Sequence, residues 1–341
     1  MRLRWAEGRE TILHRQPITG GPMIARIGIV LGFLICLTAC SPLGDWSAGP
    51  NACAPERVAE IPVRIVHGAA LVPVRVDGTE AEMMLDTAAS TLLSEEVAAR
   101  LGLAEDTSRK TWITSIGGVT IARHVRVRSL EIGGQTSASL NLPVARAGHK
   151  FKEPPLFAGI LGADQLSKFD IELNLPRGRV TFWRVAHCAG DFVRWNEPHY
   201  AIPLTRDYQN HMIAAARIDG HDVNAYVDWG ASATTVLSWF SANLGITPEM
   251  LASEPLIASI GVDQKRLPTR VHRFETLQIG TEVIRGPRLL IANLSFHEVG
   301  MLLGLNFARG RRIWLSYATR QMFVAPPARR NEQRPPADAS R

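Results

Sequence analysis

From Leu71 the side chains alternate between apolar and polar in short runs. LVPVRV (71–76) is followed by Asp77-Gly78 and then TEAEMMLD (79–86). A period of two places one face of such a run against a core, which predicts strands. An Asp-Gly pair between two such runs predicts a tight hairpin, because both turn residues must take positive φ. The pattern returns at MIAAARI (212–218), Asp219-Gly220 and HDVNAYVD (221–228). Helical spacing is confined to two short stretches. SEEVAARLGL (94–103) sets Val97 and Leu101 on one side and stops at Gly102, and LSWFSANLGI (237–246) has the same form.

The return of the pattern is an internal repeat. Gly78 and Gly220 stand 142 residues apart, as do Asp86 and Asp228, and Gly162 and Gly304. Weaker matches drift by a few residues, as altered loops would cause: Leu101-Gly102 with Leu244-Gly245, Ser115-Ile116-Gly117 with Ser259-Ile260-Gly261, Ile132-Gly133 with Ile279-Gly280. So long a period predicts a duplicated domain rather than a solenoid. The expected fold class is mostly β, in two similar lobes with one short helix each. Lobe 1 is placed at 58–185, an interlobe linker at 186–199 and lobe 2 at 200–325.

The hydrophobic pattern differs at the front of the chain. IGIVLGFLICLTA (27–39) is an uncharged run behind Arg26, and as a helix it would rise only about 20 Å, short of a bilayer core. That length suits the apolar part of a signal peptide at 1–39, with Met23 as a possible true start. Leu37-Thr38-Ala39-Cys40-Ser41 resembles the lipobox of bacterial lipoproteins, which implies acylation of Cys40. The expected location is then the periplasm, anchored by acyl chains to the cell envelope, with the outer membrane favoured by Ser41. A Gly/Pro/Ser/Ala-rich stretch at 40–57 reads as a spacer.

Charge changes the picture less than its total suggests. The 341 residues carry a formal +6, which invites a nucleic-acid reading. Yet residues 1–39 hold five Arg against two Glu, and PPARRNEQRPPADASR (326–341) holds four Arg against Glu332 and Asp338. Five of the six units therefore sit in the leader and in a Pro/Arg-rich tail expected to be disordered. No nucleic-acid partner is expected. Of the four cysteines, Cys36 leaves with the leader and Cys40 is lipidated. Cys53 and Cys188 remain as a disulfide pair for an oxidising compartment.

The candidate chemistry lies at the repeat's two carboxylates. Met84-Leu85-Asp86-Thr87-Ala88-Ala89-Ser90 and Tyr226-Val227-Asp228-Trp229-Gly230-Ala231-Ser232 each deliver an aspartate from an apolar strand into a turn of small residues. Downstream, Ile160-Leu161-Gly162 and Leu302-Leu303-Gly304 are apolar pairs followed by Gly. No H-E-x-x-H, CxxC, G-x-S-x-G or P-loop is present. His297-Glu298 lacks the second His, and the Trp residues read as packing. No metal or cofactor is expected.

These paired motifs resemble the retropepsin-like aspartic proteases, over roughly residues 58–325. The resemblance implies that Asp86 and Asp228 meet around one water at a pseudo-twofold axis and hydrolyse a peptide bond, in a protein that works as a monomer. Thr87, Ala88, Ala89 and Ser90, with Trp229, Gly230, Ala231 and Ser232, become the supporting turns. Trp112, Ile116, Gly117 and Gly118 resemble the flap that closes over bound peptide, and Ile260 and Gly261 a second, weaker one. Two positions depart from the family. Ala88 stands where the family has Gly, which would restrict a positive φ. Trp229 stands where a hydroxyl residue usually interlocks with its counterpart beneath the aspartates, leaving Thr87 a one-sided partner. The alternative reading is a degenerate lipoprotein that binds peptide, or acts as an envelope scaffold, without cleaving.

Overall fold

The computed structural model describes residues 53–115, 118–146, 156–261, 265–296 and 298–327. The leader, Cys40, Ile116, Gly117 and the 328–341 tail lie outside them. Both Asp-Gly pairs turn as the sequence predicts. Ala69–Val76 pairs antiparallel with Thr79–Leu85 across Asp77 (φ 48°) and Gly78 (φ 83°). Met212–Ile218 pairs with His221–Asp228 across Asp219 (φ 47°) and Gly220 (φ 83°). Such turns match the twist of the strands they join.

A third strand then fixes the aspartate-bearing strand from the side. Phe157–Leu161 runs parallel to Thr79–Leu85 and, on its other edge, antiparallel to Leu92–Ser94. In lobe 2, Met301–Gly304 lies likewise between His221–Asp228 and Thr235–Leu237. The chain that leaves each aspartate therefore crosses closely over the inserted strand. A Cβ on Gly162 would stand 2.3 Å from the Ser90 carbonyl carbon, and one on Gly304 would stand 2.4 Å from that of Ala233. Neither glycine is needed for a positive φ. Each is a glycine because backbone occupies the space of a side chain.

The lobes share a six-stranded portion of a larger sheet, with Glu56–Pro62, Arg179–Arg184 and Asp170–Asn174 from the first and Arg312–Ser316, Gln321–Ala325 and Tyr200–Arg206 from the second. At its centre Glu172 lies opposite Trp314. Those residues are 142 apart, so each faces its own counterpart, as a twofold axis through the pair demands. One face of the sheet buries Ile171, Leu173, Val180, Phe182, Ile313 and Leu315 in the main core. On the other face Phe192, Val193 and Trp195, from the irregular segment between the lobes, pack on Trp314 and Phe323.

The helices are short, and there are more of them than the sequence predicts. Glu95–Arg100 begins where the Ser94 Oγ accepts the Val97 N–H (3.1 Å), and Ser238–Asn243 is its counterpart. Ala163–Leu166, Pro248–Ala252 and Leu305–Ala308 are additional. At four or five residues each, they are too short to show an amphipathic period, so the expectation of one helix per lobe falls short. Among the described residues no helix is long and apolar enough to cross a membrane.

Cys53 and Cys188 form a disulfide across 135 residues, beside the cluster of Phe192 and Trp195. Closing so long a loop restricts the unfolded chain, a stabilisation of about 3–5 kcal/mol. Reduction, or Cys53→Ser with Cys188→Ser, should lower the melting temperature by several degrees. Labelling the denatured, unreduced protein should find no free thiol at these positions. Two reactive thiols would contradict the bridge.

Candidate active site

The two aspartates end equivalent strands and meet where the lobes face each other. Each residue is 8% exposed. The Asp86 carboxylate reaches across to lobe 2, where a Cβ on Gly230 would fall 2.1 Å from its Oδ2. Burial raises the Asp86 pKa, and the charge of Asp228 raises it further, against one opposing bond from the Ala88 N–H (3.0 Å). Burial also raises Asp228, but two backbone donors oppose it, the N–H groups of Ala231 (2.9 Å) and Gly230. Hydrogen bonds to the ionised form favour that form. Both carboxyls are nonetheless held above the usual carboxylate range, and the pair keeps a proton to higher pH than a free aspartate would.

Beneath the carboxylates, Thr87 ties the loops together. Its Oγ1 donates to the Val227 carbonyl (2.5 Å) and accepts the Trp229 N–H (3.1 Å), and the residue is fully buried. Both partners are backbone groups. The arrangement is one-sided in its hydroxyls, yet Thr87 is fully bonded: the main chain of Val227 and Trp229 satisfies it, while the Trp229 indole, 2% exposed, fills the core. What the substitution removes is the reciprocal hydroxyl alone.

The expected strain at Ala88 is also absent. Neither Ala88 nor Gly230 has positive φ. Glycine is required at 230 by space, since the Asp86 carboxylate lies on it. Ala88 instead packs its methyl with the lobe 2 cluster around Tyr226, Leu294 and Leu302. The two loops are therefore not interchangeable, and the lobe 2 loop is one residue longer before its threonine.

Sequence reading misses the groups that hold these loops from behind. In lobe 1 the Asp164 Oδ1 accepts both the N–H and the hydroxyl of Thr91 (2.6 and 2.7 Å), and Thr91 Oγ1 accepts the Gly162 N–H (2.9 Å). In lobe 2 the Asn306 Oδ1 accepts the same two groups of Thr234 (2.7 and 2.9 Å), and Thr234 Oγ1 accepts the Gly304 N–H (3.2 Å). Asp164 and Asn306 obey the 142-residue offset, and that signal was there to be found.

Other candidates fall where the fold leaves room for a ligand. Ala89 and Ala231 are half-buried and accept the N–H groups of Ala163 and Leu305 (both 2.7 Å). Ser90 and Ser232 are exposed at the loop tips, and a Cβ on Gly68 would stand 2.9 Å from the Ser232 Cβ. The flap hairpin pairs Glu105–Ser115 with Gly118–Ile132. Trp112 lies opposite Ile121, and they are 70% and 54% exposed. Val119 and Ile121 continue the strand face that Val125 and Val127 bury further along. The hairpin thus extends an apolar face beyond the lobe that supports it. Ile260 ends the corresponding strand of lobe 2, and the Gly261 N–H donates to the Lys265 carbonyl (3.0 Å).

The wall beside Asp228 is built around Tyr226, with half-buried Ile213, Leu267 and Phe296. The Tyr226 hydroxyl donates to Asp207 (3.0 Å), which also binds His211 Nδ1 (2.9 Å), and burial with the Asp207 charge pushes the phenol's pKa up. Among the described residues no group of three or more His, Cys, Asp or Glu is placed to hold a metal ion.

No curated protein sequence matches the chain. A solved structure that resembles it is the aspartic proteinase from Irpex lacteus, at 13% identity and a TM-score of 0.49, with 81% of this chain and 98% of that one covered. The profile of a family described as aspartyl protease matches twice, at residues 72–165 and 214–307. Those matches start 142 residues apart, each contains one of the buried aspartates, and together they span more than half the sequence. The chain belongs to the aspartyl protease family.

Proposed function

We propose that the protein is an aspartic endopeptidase in which Asp86 and Asp228 share one proton and activate one water. The observation that carries the reading is the meeting of two buried carboxylates with unequal hydrogen bonding. Asp228, ionised, takes a proton from water as its oxygen attacks the scissile carbonyl. Asp86, protonated, donates to the developing oxyanion. The proton taken by Asp228 then passes to the leaving amine, and no covalent intermediate forms.

The substrate is an extended peptide with apolar side chains. The uncovered face of Trp112, Val119 and Ile121 and the wall of Ile213, Leu267 and Phe296 support that preference. Backbone pairing with the flap would supply affinity that is independent of sequence. The apolar run at 27–39, Cys40 and the Cys53–Cys188 disulfide support export and lipid anchoring in the periplasm.

Cleavage of a peptide library between pH 3 and 7 tests the dyad. Asp86→Asn and Asp228→Asn should each lower kcat/KM by about 10²- to 10⁴-fold. Equal cleavage by wild type and both variants would sink the mechanism. Peptide binding without cleavage by any of them would assign the protein to binding alone. Gly230→Ala should be nearly as damaging, since its methyl competes with the Asp86 carboxylate for one space. Full activity in that variant would refute the placement.

The pair also sets a pH dependence of stability. Both folded pKa values lie above the unfolded ones, so the folded state holds more protons. That contribution is complete below about pH 4 and is lost as pH rises toward about 8. The melting temperature of Asp86→Asn should therefore gain on wild type across this range. Parallel curves would show that the carboxyls titrate normally.

A further inference from the structure

The shared six-stranded portion of the sheet has an outer face that the segment between the lobes only half covers. The remainder is an open groove of about 500 Å³, on the side of the sheet opposite the core face. It belongs to neither the dyad nor the flaps.

Four arginines and two glutamates line it. The glutamates are already engaged. Glu172, 4% exposed, is bonded to Arg312 (2.5 Å) and to the Trp183 Nε1–H (3.1 Å). Glu60 lies 3.8 Å from Arg57. Arg312 is engaged as well, since it also binds Glu197 (2.9 Å) and lies over the Trp195 ring (4.6 Å). Arg177 and Arg179 differ. Both are exposed, and among the described residues neither guanidinium has a hydrogen-bond or ion-pair partner. The mouth therefore holds Arg177, Arg179 and a loosely paired Arg57, with more positive than negative charge even though Arg177 lies within reach of the Glu197 charge. Behind them Trp183 stacks on Trp314 (4.8 Å between ring centres) and offers an apolar surface.

Planar guanidinium forks match phosphate oxygens two at a time and hold their charge at any physiological pH. Several around one concave site suit a group with more than one negative charge, and the volume suits a small organic body attached to it. We propose that this groove is a phosphate-binding site, in which Arg177, Arg179 and Arg57 take the phosphate and Trp183 the carbon skeleton beside it. Two sources offer this chemistry, a phospholipid head group and a soluble phosphate compound. The wall strand Glu56–Pro62 begins sixteen residues after Cys40. A flexible linker of that length spans about 20 Å, so an acyl anchor at Cys40 would hold the groove near a bilayer surface.

The test uses the full chain carrying Cys40→Ser, disulfide intact, so that vesicle binding cannot come from an acyl chain. Inorganic pyrophosphate is titrated by calorimetry, and vesicles of phosphatidylglycerol or phosphatidylcholine are sedimented with the protein. The variant is Arg177→Gln with Arg179→Gln, both exposed and outside the core, and Arg217→Gln on lobe 2 is the control. Pyrophosphate binding at least tenfold weaker in the double variant and unchanged in the control is expected. A phosphatidylglycerol preference that disappears with the two arginines identifies the lipid source. Pyrophosphate binding without vesicle binding identifies a soluble one. Failure of wild type to bind either probe, or equal binding by the double variant, overturns the proposal.

Discussion

Two carboxylates that repel each other are held together in a buried space, and the surrounding structure is organised against that repulsion. Thr87 is the point of attachment. Its hydroxyl spans from the lobe 1 loop to two backbone groups of the lobe 2 loop, directly under the charges. Because those partners are main-chain atoms, they persist whatever side chain follows Asp228. This explains how an indole at position 229 is compatible with an assembled site.

The loops cannot relax away from each other, because each is pinned at its far end. Asp164 and Asn306 hold the threonines that follow the aspartates, and Gly162 and Gly304 let the backbone pass within van der Waals distance. The central sheet then fixes the relation between the lobes through the Glu172–Trp314 pair on the axis. Motif, loop and sheet form one chain of constraint from the core to the carboxylates.

Symmetry brings the aspartates together, and departures from it give them different surroundings. Asp228 receives two backbone donors and Asp86 one, and Ala88 packs into the opposite lobe where Gly230 leaves room for a carboxylate. The two carboxylates thereby sit in unequal surroundings within a duplicated scaffold.

Much of this was legible in the residues. Alternation with Asp-Gly turns marks the hairpins, because strand period and positive φ are local properties. A constant offset of 142 marks the duplication and its paired aspartates, because duplicated chains keep their spacing. The short helices after Gly162 and Gly304 were hidden by their length, and Thr91 and Thr234 by partners some seventy residues away. The reason for Ala88, the backbone satisfaction of Thr87 and the open basic groove were decided by tertiary structure alone. Each depends on which atoms from distant segments share a few ångströms of space, and no local pattern encodes that.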